Sequence, residues 1–228
     1  MERGRSRKAR SGCLGRIFGF VLFLIVAAVG VIAAVKYMPS RERADLDALY
    51  AAGGSDRVAL YLNYERQEES GVYVDGQTYL PAAWVDANLN ERFYWDANEE
   101  ILVYALPEEI VKSDETTVDE DGKKILYRDG DAVYLSLALI QKYTDVRLQA
   151  YDGEAQKRVF VENNWDPVTV ADAAWSAKIR LRGGLKSPIV TEIKRGGTVT
   201  VLEQYDNWAR VMTPDGHIGY MHKWKMKN

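Results

Sequence analysis

Cysteine and histidine are nearly absent from this chain of 228 residues. Its one cysteine, Cys13, excludes an intramolecular disulfide framework, and its place just ahead of an apolar run makes it a poor thiol nucleophile. The two histidines, His217 and His222, stand five positions apart in one predicted strand, which puts them on opposite faces with about 17 Å between their Cα atoms. We therefore predict that they share no metal ion and are surface residues without a special role.

Catalytic motifs are also missing. The chain has no G-x-S-x-G elbow, no phosphate-binding P-loop and no H-E-x-x-H zinc motif. Carboxylates are plentiful between residues 17 and 175, but their spacing nominates no glycosidase pair. The sequence thus predicts a chain that is not an enzyme and has no catalytic residue, metal, cofactor or nucleic-acid partner, and it leaves the oligomeric state open.

A long apolar run stands near the N-terminus. Residues 17–35 contain nineteen residues without a charge, and as a helix they would span about 28 Å, close to the roughly 30 Å of a bilayer core. Six basic residues and one acidic residue precede the run, which predicts a cytoplasmic N-terminus and an extracytoplasmic remainder. A cleaved signal peptide is the alternative. We favour an uncleaved anchor, because the run exceeds the usual apolar region of about 7–15 residues and ends without an A-x-A site.

Charge divides the chain into three parts. Residues 1–16 carry a net charge of +5 and residues 176–228 a net charge of +6, whereas residues 17–175 carry −14. A basic terminal module on an acidic stem predicts that the far end of the molecule, rather than its middle, meets any anionic polymer. A solvated surface with scattered lysines is the alternative interpretation.

The middle of the chain contains an internal repeat. Residues 72–108 and residues 126–163 each start with a strand that meets an Asp-Gly turn, continue into a short amphipathic helix, and end with a second hairpin. Neither unit could bury its apolar face alone, so the two are expected to share one core. The Asp-Gly turns are Asp75-Gly76 and Asp129-Gly130, the second hairpins turn at Asp96 to Asn98 and at Asp152-Gly153, and the apolar helix residues are Trp84, Val85 and Leu89, then Leu139, Ile140 and Tyr143.

This repeat resembles the copper amine oxidase N-terminal-like domain, a stalk module of bacterial surface proteins. The first unit carries the resemblance at Val74, Asp75, Gly76, Leu80, Pro81, Trp95 and Asp96; the second keeps Asp129, Gly130, Leu135 and Asp152 but has Ser136 in place of the proline. No copper is implied, because residues 57–163 contain no histidine or cysteine. The stretch from Thr116 to Lys124 lacks the first Asp and the last Glu of a calcium-binding EF-hand loop, so we predict an exposed acidic turn there.

Short alternating segments fill the C-terminal region. Five strands separated by Gly-Gly, Asp-Asn and Pro-Asp-Gly turns predict a small closed or nearly closed β-barrel. The pattern resembles the bacterial SH3-type domain. The matching residues are Ile179, Arg180, Arg182, Ser187, Pro188, Ile189, Val190, Gly196, Val199, Trp208, Val211, Asp215, Gly216, Gly219, Tyr220 and Met221.

Candidate binding residues lie in the same region. We predict that four aromatic side chains stack on sugars or peptide stems, beside two lysines that attract an anionic polymer. The family pattern also has barrel-packing residues at Trp208 and Tyr220, so these two have a competing structural interpretation, whereas Tyr205 and Trp224 are expected to be exposed. The predicted site consists of Tyr205, Trp208, Tyr220, Trp224, Lys223 and Lys225.

The predicted fold is mainly β with some α. Its segments are a basic cytoplasmic tail at 1–16, a transmembrane helix at 17–35, a linker at 36–56 with a short helix, an α+β stalk of two hairpin-helix-hairpin units at 57–165, a linker at 166–176 and an SH3-type barrel at 177–228.

The order of these segments is similar to the N-terminal portion of clostridial membrane-bound glycoside hydrolase family 18 proteins. Their catalytic Asp-Gly-x-Asp-x-Asp-x-Glu motif is absent here, so the chain is expected to be a shortened relative or a fragment.

Two functions follow. The first is a non-catalytic membrane-anchored envelope protein whose stalk presents the SH3-type module to peptidoglycan or another wall polymer. The second is the accessory part of a family 18 glycoside hydrolase that lyses cell wall or spore cortex. Binding of Pro-rich peptides is a weaker third possibility, because the predicted topology puts the module outside the cell.

Overall fold

The computed structural model describes residues 11–152, 156–165 and 168–227 of the chain. Most of the predicted basic tail, the glycine of the predicted Asp152-Gly153 turn and part of the predicted 166–176 linker lie outside the described residues. The described chain is mainly β with a few helices, as the sequence predicts. The helices are α1 (Ser11–Tyr37), α2 (Leu46–Leu49), α3 (Ala82–Asn88), α4 (Leu137–Tyr143) and a short 3-10 helix (Lys223–Lys225).

Helix α1 contains the predicted apolar run. Its most apolar stretch, Phe18–Tyr37, has 20 residues with a mean hydropathy of 2.9, and none of it is buried against the rest of the described chain. At 1.5 Å per residue this stretch is about 30 Å long, the thickness of a bilayer core. Its length and composition suit a single membrane anchor and also a signal sequence.

The strands of the described ranges form three sheets. One seven-stranded sheet, which we call the large sheet, has the order β7-β8-β3-β2-β1-β10-β9. A second seven-stranded sheet, which we call the C-terminal sheet, has the order β13-β12-β16-β15-β14-β11-β17, and a three-stranded sheet has the order β4-β5-β6. The strands are β1 (Arg57–Leu62), β2 (Glu65–Val74), β3 (Gln77–Pro81), β4 (Phe93–Asp96), β5 (Ile101–Ala105), β6 (Ile110–Ser113), β7 (Leu126–Asp129), β8 (Ala132–Ser136), β9 (Arg147–Tyr151), β10 (Arg158–Glu162), β11 (Thr169–Ala173), β12 (Ala177–Arg180), β13 (Ile189–Ile193), β14 (Thr198–Gln204), β15 (Trp208–Met212), β16 (Ile218–His222) and β17 (Met226–Lys227).

Both repeat units have the predicted order of hairpin, helix and hairpin. The Asp-Gly turns close the β2-β3 and β7-β8 hairpins, with Val74 opposite Gln77 and Asp129 opposite Ala132. The second hairpins differ between the units. The β4-β5 hairpin forms a separate sheet with β6, whereas β9-β10 joins the large sheet because β10 pairs with β1 in parallel. The two units therefore repeat the same local structure, but their second hairpins lie in different sheets.

The two units share one core, as predicted. Helices α3 and α4 bury Trp84, Val85, Leu139 and Ile140 in it, together with apolar residues of the large sheet and of β4-β5. Helix α4 begins at Ser136, whose hydroxyl accepts a hydrogen bond from the Leu139 amide at 3.2 Å. The second unit thus replaces the proline that precedes α3 with a side-chain N-cap.

The C-terminal sheet is antiparallel and has its own core of ten buried residues, among them Ile179, Val211 and Met221. It contains the five predicted strands and two more, because Thr169–Ala173 pairs with β14 on one side and with β17 on the other. In the described part of the chain the outer strands β13 and β17 are not paired with each other. Closure of this sheet into a barrel stays a prediction.

A third apolar cluster joins the C-terminal sheet to the large sheet. Tyr50 after α2, Ala59, Tyr61 and Phe160 of the large sheet, and Met212 of β15 are all buried in it. His217 lies at the same junction, 7% exposed, with its ring 5.8 Å from that of Tyr50. Our prediction of a surface histidine in a strand was wrong, because the turn before β16 folds into the junction and His217 precedes the strand.

Arg158 of β10 is fully buried at this junction. Its guanidinium donates to the carbonyl oxygens of Gly216, at 2.9 Å, and of Asp215, and it lies over the rings of Tyr50 and Tyr151 at 4.8 and 5.0 Å. Gly216 has a φ of 69°, and a Cβ atom there would lie 2.4 Å from the Tyr151 ring, so no other residue fits without displacement.

The segment after α1 runs directly along the C-terminal sheet. The Ser40 amide donates a hydrogen bond to the Leu185 carbonyl at 2.8 Å, and the Ala44 amide donates one to the Ile189 carbonyl at 2.8 Å. The Ile189 amide in turn donates one to the Glu42 carbonyl at 2.8 Å. The buried Arg180 holds the Ser40 carbonyl through two nitrogens, each at 3.2 Å. We expected the repeat region to hold this sheet away from the membrane helix. These bonds instead place the sheet beside the end of α1.

Candidate functional site

Strand alternation decides which side chains of β15 and β16 reach the surface. Ala209 and Val211 of β15 and Met221 of β16 point into the core of the C-terminal sheet. The alternate positions point outward, and they face each other across the strand pair: Trp208 lies opposite His222, and Arg210 lies opposite Tyr220. The outer face of this pair is therefore aromatic.

Five aromatic side chains lie on this face in two contacting groups, Tyr205 with Tyr220 and Trp208 with His222 and Trp224. We call the five together the aromatic strip. The Tyr205 and Tyr220 ring centroids are 5.9 Å apart, those of Trp208 and His222 are 5.0 Å apart, and those of His222 and Trp224 are 6.1 Å apart. All four predicted aromatic residues belong to the strip. Tyr205 and Trp224 are 45% and 60% exposed, as predicted.

Trp208 and Tyr220 are half-buried on the outer face and are not among the residues that form the core of the C-terminal sheet. His222, which the sequence reasoning set aside as an ordinary surface residue, lies between the two tryptophans. The signal that could have found it was its even spacing from Tyr220 within one strand.

Both predicted lysines contact the strip. The Lys225 ammonium lies 4.1 Å from the Trp224 ring centroid, within the range of a cation–π interaction. Lys223 donates from Nζ to the Tyr205 carbonyl at 3.1 Å, and its amide donates to Asn207 at 3.0 Å. Lys225 is thus held beside Trp224, and Lys223 is held beside Tyr205.

A charged pair supports the Tyr205 end of the strip. The Tyr205 hydroxyl donates a hydrogen bond to Glu203, and Arg210 forms an ion pair with Glu203 at 2.8 Å. The hydroxyl and the guanidinium lower the pKa of Glu203 below its ordinary value. The same hydrogen bond to Glu203 raises the pKa of Tyr205 to about 12, so the phenol stays neutral at physiological pH.

The other end of the strip borders a groove of about 320 Å³. Its lining includes Trp208, His222, Trp224 and Lys225 of the strip region, together with Pro39 and Leu185. The Nδ1 atom of His222 is buried and has no hydrogen-bond partner among the described residues. Ring stacking and nearby cations allow this face to hold a flat or sugar-like group with anionic substituents.

The acidic turn predicted at residues 116–124 is largely exposed, and its Asp119 carboxylate is bonded within the turn itself. This carboxylate accepts hydrogen bonds from the amides of Asp121 and Lys123 at 3.0 and 2.8 Å. Within residues 11–152, 156–165 and 168–227 no group of three His, Cys, Asp or Glu side chains is arranged to hold a metal ion.

Residues 175–226 match the family model of the bacterial SH3 domain. This confirms the resemblance predicted for the C-terminal region and places the whole aromatic strip inside the matched segment. Domains of this kind are typical of cell-wall binding. A search of curated proteins found no match to the chain.

Proposed function

We propose that this chain is a non-catalytic cell-envelope protein that α1 holds in the membrane and whose aromatic strip binds peptidoglycan or another anionic wall polymer. The observation that carries the proposal is the strip itself. Five rings lie in two groups on the outer face of the matched SH3 segment, with Lys225 over the Trp224 ring and Lys223 on the Tyr205 carbonyl. Rings stack on the apolar faces of sugars, and lysines attract anionic substituents.

The Tyr205–Tyr220 pair is the part of the strip best suited to a polymer. Tyr205 is exposed and held in place by Glu203, and Lys223 lies on its carbonyl. A pair of fixed rings costs little side-chain entropy on binding, since their positions are already set by contacts within the protein. The resemblance of residues 57–165 to the copper amine oxidase N-terminal-like domain supports an extracytoplasmic location within the same proposal.

Sedimentation of the full chain with purified cell walls tests this function. We expect the wild-type chain to be enriched over an unrelated protein of the same net charge of −3, and Tyr205→Ala and Tyr220→Ala each to weaken binding by about 2- to 13-fold, the size of an aromatic contact of about 0.5–1.5 kcal/mol. Tyr94→Ala is the matched control, because Tyr94 is 64% exposed on the separate β4-β5 sheet. Absence of enrichment over the charge-matched protein, or equal binding by all three variants, would defeat the proposal.

The accessory role in a family 18 glycoside hydrolase is a second proposal, supported by the order of the segments. Reading the coding sequence beyond the codon for Asn228 tests it. A glycosidase-like reading frame there would support the accessory role, and an unrelated neighbour would count against it.

A further inference from the structure

The groove at the Trp224 end of the strip lies at the same level as the end of α1. Lys186 donates from Nζ to the carbonyl of Val35, in the last turns of the apolar stretch, at 2.6 Å. The Ser40 amide bonds the Leu185 carbonyl at 2.8 Å. The loop that carries Leu185 and Lys186 therefore lies beside the final turn of α1. If α1 spans a bilayer, this loop is at the depth where hydrocarbon meets headgroups.

Side chains at this level have the chemistry of a membrane interface. Leu185 is 47% exposed and Trp224 is 60% exposed, and Tyr37 and Met38 of the neighbouring segment are exposed as well. Tryptophan and tyrosine favour the headgroup region, because their rings are apolar and their polar atoms stay hydrated. Basic side chains at this level include Lys36, Lys186 and Lys225.

We propose that Leu185 and Trp224, with Lys186 and Lys225, dock on the surface of the bilayer that α1 enters, with the lysines on anionic phospholipid headgroups. The surface is continuous with α1, whose apolar stretch ends at Tyr37. Exposed leucine and methionine gain free energy on entering the acyl boundary, and basic side chains are attracted to anionic headgroups. A sugar polymer gives no comparable reason for Leu185 and Met38 to be apolar.

This docking rests on the part of the proposed function in which α1 stays in the membrane. It also divides the aromatic strip between two partners. Ile218, at the start of β16, lies at the junction with the repeat region, and Trp224, in the 3-10 helix after β16, lies at the membrane end, so the Tyr205–Tyr220 pair stays free for a polymer. The matched SH3 segment would then be held against the membrane by this end, at a fixed orientation.

Spin-label accessibility in the full chain tests the docking. Cys13→Ser removes the one native cysteine, after which Leu185→Cys or Trp224→Cys carries a nitroxide in vesicles of phosphatidylglycerol and phosphatidylcholine. We expect both labels to be several-fold more accessible to oxygen relative to a water-soluble nickel chelate than a label at Ile110→Cys. Ile110 is the matched control, since it is 66% exposed on β6, in a separate sheet.

Equal nickel accessibility at positions 185, 224 and 110 would overturn the docking. So would shielding of these labels by soluble wall fragments in detergent, without lipid, because the occupant would then be a polymer. Extraction of the chain by alkaline carbonate reports on the anchor separately. A chain that resists extraction but shows nickel-accessible labels keeps its anchor and loses the docking, whereas an extracted chain loses both.

Discussion

Single residues on the outer face of β15 and β16 are fixed by contacts from more than one part of the chain. Arg210 pairs with Glu203 of β14 and with Glu65 of the large sheet, and it donates to the carbonyl of Tyr64 at 2.9 Å. Glu203 in turn accepts the Tyr205 hydroxyl. The Tyr205 end of the aromatic strip is therefore positioned by the junction between the two large sheets.

The ionisation of Glu203 is expected to report on this arrangement. Its folded-state pKa is lowered, first by the Tyr205 hydroxyl and then by Arg210, so its stabilising contribution is present above the ordinary value of 4.5 and is lost as the pH falls through the lowered pKa. Because Glu203 is 46% exposed, this contribution is below about 1 kcal/mol. An NMR titration should place the Glu203 pKa below 4.5, and Tyr205→Phe should move it upward. Tyr94→Phe, on the separate β4-β5 sheet, is the control, and an unchanged Glu203 pKa in Tyr205→Phe would contradict the assignment.

At the scale of elements, the segment from Met38 to Ala44 acts as an additional strand-like edge of the C-terminal sheet. Arg43 forms a parallel bridge with Ile189, the first residue of the outer strand β13. Arg180 fixes the start of the segment, because it is 3% exposed and donates to the carbonyls of Ser40 and Ser187, the latter at 2.6 Å. Burial of the guanidinium lowers the pKa of Arg180, and no neighbouring carboxylate contributes to that shift.

Loss of this guanidinium should release the segment. We expect Arg180→Met to raise amide hydrogen exchange across residues 38–45 by about tenfold, since a hydrogen bond to a charged group contributes about 1.5 kcal/mol or more. Arg182→Met is the control, because the Arg182 side chain is exposed two residues away. Mass spectrometry of exchanged peptides measures the difference. If the two variants exchange alike, Arg180 does not hold the segment.

At the scale of the molecule, the two seven-stranded sheets behave as one body because they share an apolar cluster and a buried arginine. Tyr50, Phe160 and Met212 come from three different parts of the chain and are all buried together. Arg158 bridges the junction by hydrogen bonds to Asp215 and Gly216, in the turn before β16. We therefore expect the two sheets of the wild-type chain to unfold in one cooperative transition.

Arg158→Met is expected to lower the free energy of unfolding by about 2–4 kcal/mol and to separate the unfolding of the two sheets, because buried carbonyls lose their donor while the apolar stem is kept. Arg66→Met is the control. Arg66 also lies over a tyrosine ring, Tyr61 at 5.4 Å, but it is exposed, so its loss should cost less than about 1 kcal/mol. Urea unfolding of the detergent-solubilised chain compares them. A single unchanged transition in Arg158→Met would refute the bridging role.

Much of the local structure was predictable from the sequence. The turns at Asp75-Gly76 and Asp129-Gly130 needed only the preference of such pairs for tight hairpins, and the buried faces of α3 and α4 followed from helical spacing. The four aromatic residues and two lysines nominated from the sequence lie on one face, but their arrangement was not predictable. His222 was overlooked because its ring neighbours, Trp208 and Trp224, depend on strand pairing and on the 3-10 helix after β16.

By itself the sequence determined the apolar helix, the hairpins, the repeat of local structure and the SH3 pattern, because each rests on interactions between residues close together in the chain or on the alternation of a strand. Only the tertiary structure decided that His217 is buried, that β11 joins the C-terminal sheet and that this sheet lies beside the end of α1. Those outcomes depend on pairs far apart in the chain, such as Val35 with Lys186 and Arg158 with Gly216. Such pairs form only where the apolar surfaces of separate elements fit together, and that fit is not encoded at any single position.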